Sequence, residues 1–472
     1  MKTSKPFLLC LIFAITLSIT SYETYADSRD DDLFGDDDST LISVPKEGGE
    51  EEIESSLKSA FKDTLLNKEK NLDIGGSFEY SNSLLISEKG QVGDATLGTS
   101  GVVDLYFDAR FDEGLRFYYQ QKVSNSVKGQ QDIIPLVLSR LGEVNDIDQL
   151  WMKFSFDERY YFTIGKQPTK LGAGLIWQPT DFLNVDRFNP LDLSDQRLGV
   201  NLLKIQMPLP DKNLNVYVIA QFDDASTVKE TGALIRFEYL SGSGEYAFSA
   251  KSSRDSQVRL GLDASIGMKY FDWMVSATFI HNDPAPFIFE TPDPVPLNIL
   301  NPVNESTSLD RSEEWFNQFS TGLLYTHSVF DNKTLIVNAE YFYNEAGYTS
   351  REVMPFIIVN SFIPGSETSF NPLYFGKEYG AVGATINGLG SDTDKTITIL
   401  AISNLDDQTG VVQLVYRSQP FRDLSLSTSV GWFLGNDGVF RPNLGETSVP
   451  FTDGLLILPP RFNANIQLGL SF

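Results

Sequence analysis

The last segment of the chain restricts its fold more than any other feature. Between residues 462 and 472 an apolar side chain stands at every second position, and the positions between them carry asparagine, glutamine, glycine or serine. The apolar positions are Phe462, Ala464, Ile466, Leu468, Leu470 and Phe472. Because successive side chains of a strand point to opposite faces, the segment predicts a strand with one wholly apolar face that ends on an aromatic residue.

The same period of two recurs from residue 71 onward. It is clearest in residues 103–111, 115–120, 149–156, 214–222 and 424–432. The segments are about ten residues long, which is the length that a tilted strand needs to cross the hydrocarbon of a bilayer. A soluble β-sandwich would show the same alternation, so the lengths of the connections have to distinguish the two architectures.

These connections alternate between tight turns and long loops. Tight turns are predicted at residues 112–114, 157–158, 210–212, 241–244, 271–272, 331–332 and 421–422, and long loops at 168–197, 282–313, 345–379 and 435–459. Counting back from the last strand places all the tight turns at one end, provided that a weak strand lies near 380–390. This pattern predicts that residues 71–472 form an all-β, transmembrane antiparallel β-barrel of about 16–18 strands.

The first residues predict the compartment. Lys2 and Lys5 precede an apolar run at 7–19, which ends in the small-x-small pattern of residues 24–26. Residues 1–26 are therefore interpreted as a signal peptide. An even number of strands then places the N-terminus and the C-terminus together in the periplasm.

The segment between the signal peptide and the barrel, residues 27–70, is acidic. Its charge blocks at 30–38 and 50–52 repel one another and resist packing. Apolar residues then recur at helical spacing, at positions 53, 57, 60, 61 and 65. We expect a short acidic periplasmic tail with one amphipathic helix.

Two motifs resemble those of known families. The alternation that ends at Phe472 resembles the C-terminal signal by which outer-membrane barrels engage the barrel-assembly machinery, and its residues would be Phe462, Ile466, Leu468, Leu470 and Phe472. Residues 164–192 are similar to the Gly-x-Gln strand end, glycine-tryptophan stretch and Asn-Pro-x-Asp of several porin-like barrels of Gram-negative outer membranes, including the alginate-export type. In that pattern a tryptophan directly precedes the glycine, whereas Leu171 precedes Gly172 here, so the subfamily stays open. The resemblance implies contact with outer-membrane lipid and lipopolysaccharide.

Composition argues against several other functions. A formal net charge of −26 argues against nucleic acid as a partner, because binding phosphates requires clustered lysine and arginine. The single cysteine, Cys10, lies in the predicted signal peptide, which leaves no thiol ligand or nucleophile. His281 and His327 are the only histidines and are far apart in the sequence. We therefore expect no catalytic residues, no metal site and no cofactor.

A barrel of this size is wide enough for an aqueous passage. The sequence therefore predicts an outer-membrane channel for the passive diffusion of small hydrophilic solutes. A transporter of hydrophobic compounds and a non-conducting structural or adhesive barrel are the alternatives. Homo-oligomer formation is left open.

The polar positions of the alternating strands are expected to face the lumen. The candidates are Asp104, Tyr106, Asp108, Arg110, Arg116, Tyr118 and Lys153, with Lys122, Trp151, Lys204, Arg236 and Glu238 in the same alternation. The aromatic side chains among them are either stacking surfaces for solutes or packing material.

The long loop 168–197 is the third on its side of the predicted barrel. It resembles the third loop of general porins in position and length, and that loop folds inward and narrows the channel. Its constriction candidates are Lys170, Trp177, Asp181, Asp186, Arg187, Asp192, Asp195 and Arg197. Trp177 and Phe182 are expected to anchor it, and charges at Asp181, Asp186 and Arg187 are expected to help set ion preference.

Overall fold

The computed structural model describes most of the barrel segment. The described residues are 71–88, 95–111, 114–127, 145–183, 199–223, 227, 231–252, 257–282, 287–288, 308–309, 311, 313–329, 333–349, 353–354, 357–358, 370–389, 395–442 and 459–472. The predicted signal peptide and acidic tail, residues 1–70, lie outside this part of the chain.

Eighteen long strands form one antiparallel sheet in the described residues, and two short strands pair separately within a loop. The strands of the sheet are β1 Leu72–Ser87, β2 Thr96–Arg110, β3 Arg116–Val127, β4 Asn145–Phe156, β5 Tyr160–Gln167, β6 Val200–Leu209, β7 Leu214–Gln221, β8 Gly232–Ser241, β9 Gly244–Ser252, β10 Val258–Gly267, β11 Asp272–His281, β14 Trp315–Val329, β15 Lys333–Asn344, β16 Glu378–Leu389, β17 Lys395–Asn404, β18 Gly410–Phe421, β19 Leu424–Leu434 and β20 Pro460–Ser471. The separate pair is β12 Phe287–Ile288 and β13 Ser308–Leu309.

The sheet closes because its first strand pairs with its last. β1 lies between β2 and β20, and Tyr80 stands opposite Leu468. At this seam the N–H of Gly76 donates to the carbonyl of Phe472 at 2.8 Å, and the N–H of Phe472 donates to the carbonyl of Gly76 at 2.9 Å. Closure leaves no free strand edge, which is the condition for a sheet to cross a membrane. The predicted all-β transmembrane barrel is confirmed, with eighteen strands.

The two ends of the barrel differ in the length of their connections. The end that carries Leu72 and Ser471, called the terminal end, has only short connections, such as 157–159, 242–243 and 422–423. The opposite end, called the loop end, has the long ones, including 168–199, 282–314, 345–377 and 435–459. The weak strand expected near 380–390 is β16. The alternation of tight turns and long loops is therefore confirmed.

Local backbone chemistry explains two of the short turns. Asp157 and Glu158, between β4 and β5, both have positive φ, at 55° and 51°. They are the central residues of a turn closed by the N–H of Arg159, which donates to the carbonyl of Phe156 at 3.2 Å, and two consecutive positive φ angles match the right-handed twist of the flanking strands. Asn213, with φ of 51°, ends the 3-10 turn Pro210–Lys212 between β6 and β7, because asparagine tolerates the left-handed region better than most residues.

Alternation along each strand gives the barrel an apolar outer belt and a mainly polar inner face. On β20 the side chains of Ile466, Leu468 and Leu470 are 53%, 43% and 47% exposed on the outside. Asn465 and Gln467, between them, face the lumen. Phe462, Ile466, Leu468, Leu470 and Phe472 therefore share the outward face, and their recognition during assembly stays a prediction.

Candidate solute passage

The described part of the third loop, residues 168–183, folds into the barrel and is called the inward segment. One carboxylate on the lumen face of β15 holds its middle. The backbone N–H groups of Leu175, Ile176 and Trp177 donate to the carboxylate of Glu340 at 2.9, 3.0 and 3.2 Å. Glu340 is 5% exposed. Several backbone donors on one buried carboxylate compensate for the loss of its hydration.

A second carboxylate, Asp263 on β10, holds the end of the inward segment. The hydroxyl of Thr180 donates to Asp263 Oδ1 at 2.6 Å, and Ser276 on β11 donates to the same oxygen at 2.7 Å. Asp263 Oδ2 accepts from Nη1 of Arg236 on β8 at 2.8 Å. The buried carboxylate thus has a cationic partner and hydroxyl donors, the arrangement that makes a buried ion pair tolerable.

Apolar packing completes the attachment. Trp177 is fully buried, its ring stacks on Phe342 with centroids 5.7 Å apart, and its Nε1 donates to the carbonyl of Leu373 at 2.9 Å. Phe182 packs in a second cluster against the lumen face of β6–β8. Lys251 Nζ on β9 donates to the carbonyl of Phe182 at 2.5 Å. Trp177 and Phe182 therefore both pack against the wall of the barrel.

Other loop-end connections pack beside the inward segment. Leu373, Phe375, Val439 and Phe440 join Trp177 in one buried apolar cluster on the lumen face of β15–β19. Tyr348, in the connection after β15, stacks on Phe287 with centroids 4.7 Å apart and accepts a hydrogen bond from the N–H of Ile288 at 3.2 Å. Burial raises the pKa of Tyr348, so this side chain stays neutral. These contacts fix the loops to one another above the wall.

In the part of the chain that the structure describes, the loop residues pack against one side of the lumen. On the covered wall, which spans β6–β18, lumen-facing side chains near the loop end are almost completely buried; they include Leu202, Ile219, Leu234, Arg236, Ser276, Ser320, Phe342 and Ile402. On the open wall, formed by β19, β20 and β1–β4, most lumen-facing side chains keep part of their surface exposed. Among the described residues, the partly exposed lumen-facing side chains therefore lie mainly along the open wall.

The part of the open wall on β19, β20 and β1 is called the polar strip. Its polar lumen-facing residues include Ser425, Ser427, Ser429, Asn463, Asn465, Gln467, Ser77, Glu79 and Ser81, with Asp73 near the terminal end; Leu85 and Phe433 are buried near the loop end. The strand register places Ser427 opposite Gln467, and Gln467 opposite Ser81. Gln467 Nε2 donates to Glu79 at 2.8 Å. The strip thus presents mainly hydroxyl and carboxamide groups, with the carboxylate of Glu79 beside Gln467 and with Gly431 and Gly469 between the polar side chains.

The part of the open wall on β2–β4 carries charges in opposed pairs. Asp108 accepts from Arg116 at 2.9 Å and from Arg110 at 3.1 Å. Lys122 lies 3.0 Å from Asp148 and 4.0 Å from Asp104. Lys153 stands opposite Arg116, near the terminal end. The predicted lumen residues of both signs therefore lie on the lumen face of these strands.

The aromatic side chains of this wall form a row. The ring centroids of Tyr106 and Tyr118 are 6.3 Å apart, and those of Tyr118 and Trp151 are 5.2 Å apart, with nearly parallel planes. The guanidinium of Arg116 lies 5.2 Å from the Trp151 ring centroid. Trp151 Nε1 donates to Gln149, and Gln149 Nε2 donates to Gln120. The rings cover one another's faces, which favours packing over the stacking of solutes for this row.

The predicted constriction residues have different environments. Lys170 is exposed at the start of the inward segment, whereas Trp177 is buried. Asp181 is 2% exposed, and its Oδ1 accepts from the N–H of Leu183 at 3.3 Å. Burial of Asp181 favours a structural role over direct contact with passing ions. The remaining candidates lie outside the described residues; they are Asp186, Arg187, Asp192, Asp195 and Arg197.

Sequence reasoning missed the two carboxylates that hold the loop. Glu340 lies in β15 among small, apolar and aromatic residues, and Asp263 lies in β10 between Leu262 and Ala264. Each is the single acidic residue of its strand and stands at a lumen position. That pattern is the available sequence signal, but it does not reveal which loop the carboxylate contacts.

The two histidines have aromatic neighbours. The His281 ring lies 4.7 Å from the Trp315 ring and the His327 ring lies 5.9 Å from the Tyr325 ring, centroid to centroid. The part of the chain that the structure describes contains no cluster of three or more acidic, histidine or cysteine side chains able to hold a metal ion. It also contains no helix with the length and apolarity to span a membrane.

Comparison with solved structures identifies the fold. The barrel is similar to a BenF-like porin from Pseudomonas fluorescens, with a TM-score of 0.50 and 9% identity over 86% of this chain and 99% of the porin. Similar barrels also include Pseudomonas putida OprB, with a TM-score of 0.47 and 10% identity over 88% and 97% of the two chains. Acinetobacter baumannii OccAB1 has a TM-score of 0.47 and 12% identity over 85% and 96%. No protein-family model matches the sequence, and no curated protein matches it either.

Proposed function

We propose that this barrel, which has the fold of a porin, is an outer-membrane channel for the passive diffusion of small hydrophilic solutes. The observation that carries the proposal is the open wall, where polar side chains of six neighbouring strands keep water-accessible surface inside a closed barrel. A barrel with many more than eight strands encloses more space than wall side chains fill. The inward segment then narrows this space from the opposite wall and sets the constriction.

The polar lumen distinguishes the proposed function from its alternatives. A transporter of hydrophobic compounds needs an apolar path, whereas the polar strip and the ion pairs of β2–β4 would have to lose water to admit an apolar solute. A structural or adhesive barrel needs no water-accessible wall. The open wall therefore favours conduction over both.

The proposed orientation places the terminal end in the periplasm and the loop end outside the cell. Short periplasmic turns and long external loops are the arrangement of bacterial outer-membrane barrels. The outer belt would then contact membrane lipid, with lipopolysaccharide in the outer leaflet. The proposed partners also include the barrel-assembly machinery, and homo-oligomer formation is left open.

Conductance in planar bilayers tests the channel. Insertion of the purified, refolded barrel into the bilayer should increase the current in steps. The same preparation after heat unfolding should produce no current steps. An intact, heat-modifiable barrel that produces no current would overturn the proposed function in favour of a structural one.

Single introduced cysteines test the orientation of the barrel. They would be labelled without background, because Cys10 is the only cysteine of the chain and lies in the predicted signal peptide. Thr349→Cys at the loop end should react with a bulky polyethylene-glycol maleimide on intact cells. Asp211→Cys at the terminal end should react only after the outer membrane is opened. Reaction of Asp211→Cys on intact cells would reverse the proposed orientation.

A further inference from the structure

The polar strip of β19, β20 and β1 has a chemistry that goes beyond general water accessibility. We infer that the passage favours uncharged, polyhydroxylated solutes, the chemical class of neutral saccharides, over ions of similar size. The inference rests on the proposed function, because it names the solutes of the same passage.

The first support is the kind of hydrogen-bonding group that the strip presents. Serine hydroxyls and asparagine or glutamine carboxamides each donate and accept hydrogen bonds. Ser427, Gln467 and Ser81 are successive neighbours across three strands, and Ser429 stands opposite Asn465. A saccharide hydroxyl also donates and accepts, so it can exchange water for strip groups at any height. An ion can use only the donors or only the acceptors.

The second support is the small net charge of the open wall. In the middle of the strip, Glu79 is the ionisable side chain among the described residues, and Gln467 Nε2 donates to it at 2.8 Å. Asp73 lies at the terminal end of the same face, where the hydroxyl of Tyr106 donates to it at 3.3 Å, and Arg461 lies at the loop end. The strip therefore offers hydrogen bonds with little fixed charge. A water-filled passage also screens isolated charges more than a dry one does.

The third support is the pairing of opposite charges on β2–β4, the strands that continue the open wall beside the strip. Asp108 lies between Arg110 and Arg116, and Lys122 lies between Asp148 and Asp104. The fields of adjacent opposite charges largely cancel a short distance into the lumen. Lys153 is the neighbouring cation, and its position near the terminal end keeps it away from the strip's middle. Anions and cations therefore gain little from this wall.

Two measurements on the unaltered barrel test the inference. In a potassium chloride gradient, the potassium-to-chloride permeability ratio should lie within about twofold of one, because neither sign is stabilised in the lumen. In liposome swelling, a neutral disaccharide should enter faster than a charged solute of equal or smaller size, such as gluconate or lysine. A barrel that conducts but strongly selects anions or cations would overturn the inference while leaving the proposed function intact. Absence of any conductance would overturn the proposed function itself.

Charge placement in the strip gives the sharper test. The double substitution Ser427→Asp with Ser429→Asp adds two negative charges to the strip at lumen-facing positions. The potassium-to-chloride ratio should rise at least about fivefold, and disaccharide entry should change much less. Asn371→Asp is the matched control, since it adds a carboxylate at the loop end while keeping the oxygen that accepts from the N–H of Leu373 at 3.0 Å.

Removal of hydroxyls tests the other half of the inference. Ser427→Val with Ser429→Val should slow disaccharide entry relative to potassium chloride conductance. Heat-modifiable gel migration establishes that each variant is a folded barrel. If the valine variant admits the disaccharide at the original relative rate, and the acidic variant leaves ion selectivity unchanged, the strip does not line the solute path.

Discussion

At the scale of single residues, Glu340 decides where the third loop lies. A carboxylate buried among apolar neighbours would be destabilising without partners. Here the N–H groups of Leu175, Ile176 and Trp177 all donate to it. The carboxylate thereby gains hydrogen-bond donors, and the backbone of the loop gains an acceptor. Hydrogen bonds to a charged acceptor stabilise by about 1.5–3 kcal/mol each, more than those to a neutral one.

Glu340→Gln should loosen the inward segment. The amide keeps one acceptor oxygen but loses the charge and replaces the second oxygen with a donor, so we expect the attachment to weaken by about 2–4 kcal/mol. Single-channel recordings should show more frequent transitions to larger conductance. Glu345→Gln is the control, because its Oε2 accepts from the N–H of Asn317 at the exposed loop end at 3.0 Å. If Glu340→Gln shows the conductance and the transition frequency of the original channel, Glu340 does not hold the inward segment.

Removal of the charge of Asp181, unlike that of Glu340, is expected to leave the channel unchanged. Its side chain is 2% exposed and accepts from the N–H of Leu183. Asp181→Asn preserves an acceptor oxygen, so the reversal potential in a salt gradient should stay within about twofold of the original permeability ratio. A marked loss of cation preference would show that the charge acts on the ions in the passage, as the sequence first suggested.

At the scale of elements, the glycine-tryptophan motif encodes the shape of the inward segment. A Cβ atom at Gly174 would lie 2.1 Å from the carbonyl oxygen of Trp177. Gln178 Nε2 also donates to the carbonyl of Gly174, at 2.5 Å. The chain therefore folds back on itself tightly enough to aim three consecutive N–H groups at Glu340, and only glycine leaves room for this approach.

Gly174→Ala should disturb the same attachment as Glu340→Gln. We expect larger and noisier single-channel currents from either variant, and a double variant whose effect is smaller than the sum of the two. Less-than-additive effects are typical of residues that act in one contact. Ala173→Gly, one residue away, is the control for a changed backbone. Full additivity would mean that Gly174 and Glu340 act separately.

The last strand, β20, combines a closing seam with a free end. Phe472 is 68% exposed on the outside, and its backbone makes two hydrogen bonds with Gly76. These bonds contribute about 0.5–1.5 kcal/mol each, a small part of what holds a closed barrel. We therefore expect the side chain of Phe472 to matter more for recognition before the barrel closes than for stability after it closes.

Deletion of Phe472 should lower the amount of barrel in the outer membrane several-fold in cells. The unfolding temperature of the barrel that does insert should change little. Trp432→Ser, which removes another outward aromatic side chain from the neighbouring strand, is the control. Normal outer-membrane levels after the deletion would mean that Phe472 does not act as an assembly signal.

At the scale of the whole molecule, we expect the tail to be dispensable for the barrel. β1 begins at Leu72 and pairs directly with β2 and β20, so the strands of the described residues close the sheet within residues 72–471. A variant lacking residues 27–66 should still give a heat-modifiable folded band of unchanged stability. A shorter deletion within the barrel, removing β16 and β17, should abolish that band. Loss of the folded band after deletion of the tail would show that the tail belongs to the fold.

The sequence by itself determined the outer architecture. Alternation with a period of two is a local property, so each strand's apolar and polar faces could be assigned from neighbouring residues. The tight and long connections then indicated which strands run in which direction. Even the weak segment at 380–390, now β16, followed from the requirement that short turns share one end. Asp104, Tyr106 and Lys153 were placed on the lumen face by the same rule.

Only the tertiary structure decided the interior. Glu340 meets the N–H of Leu175 across 165 positions of the sequence, and Thr180 meets Asp263 across 83. No periodicity encodes such contacts, because they depend on where a loop descends and which part of the wall it meets. The same contacts bury Asp181, cover β6–β18 and leave the polar strip open. Strand faces are set by the backbone of one segment, whereas a passage is set by the space that distant segments leave between them.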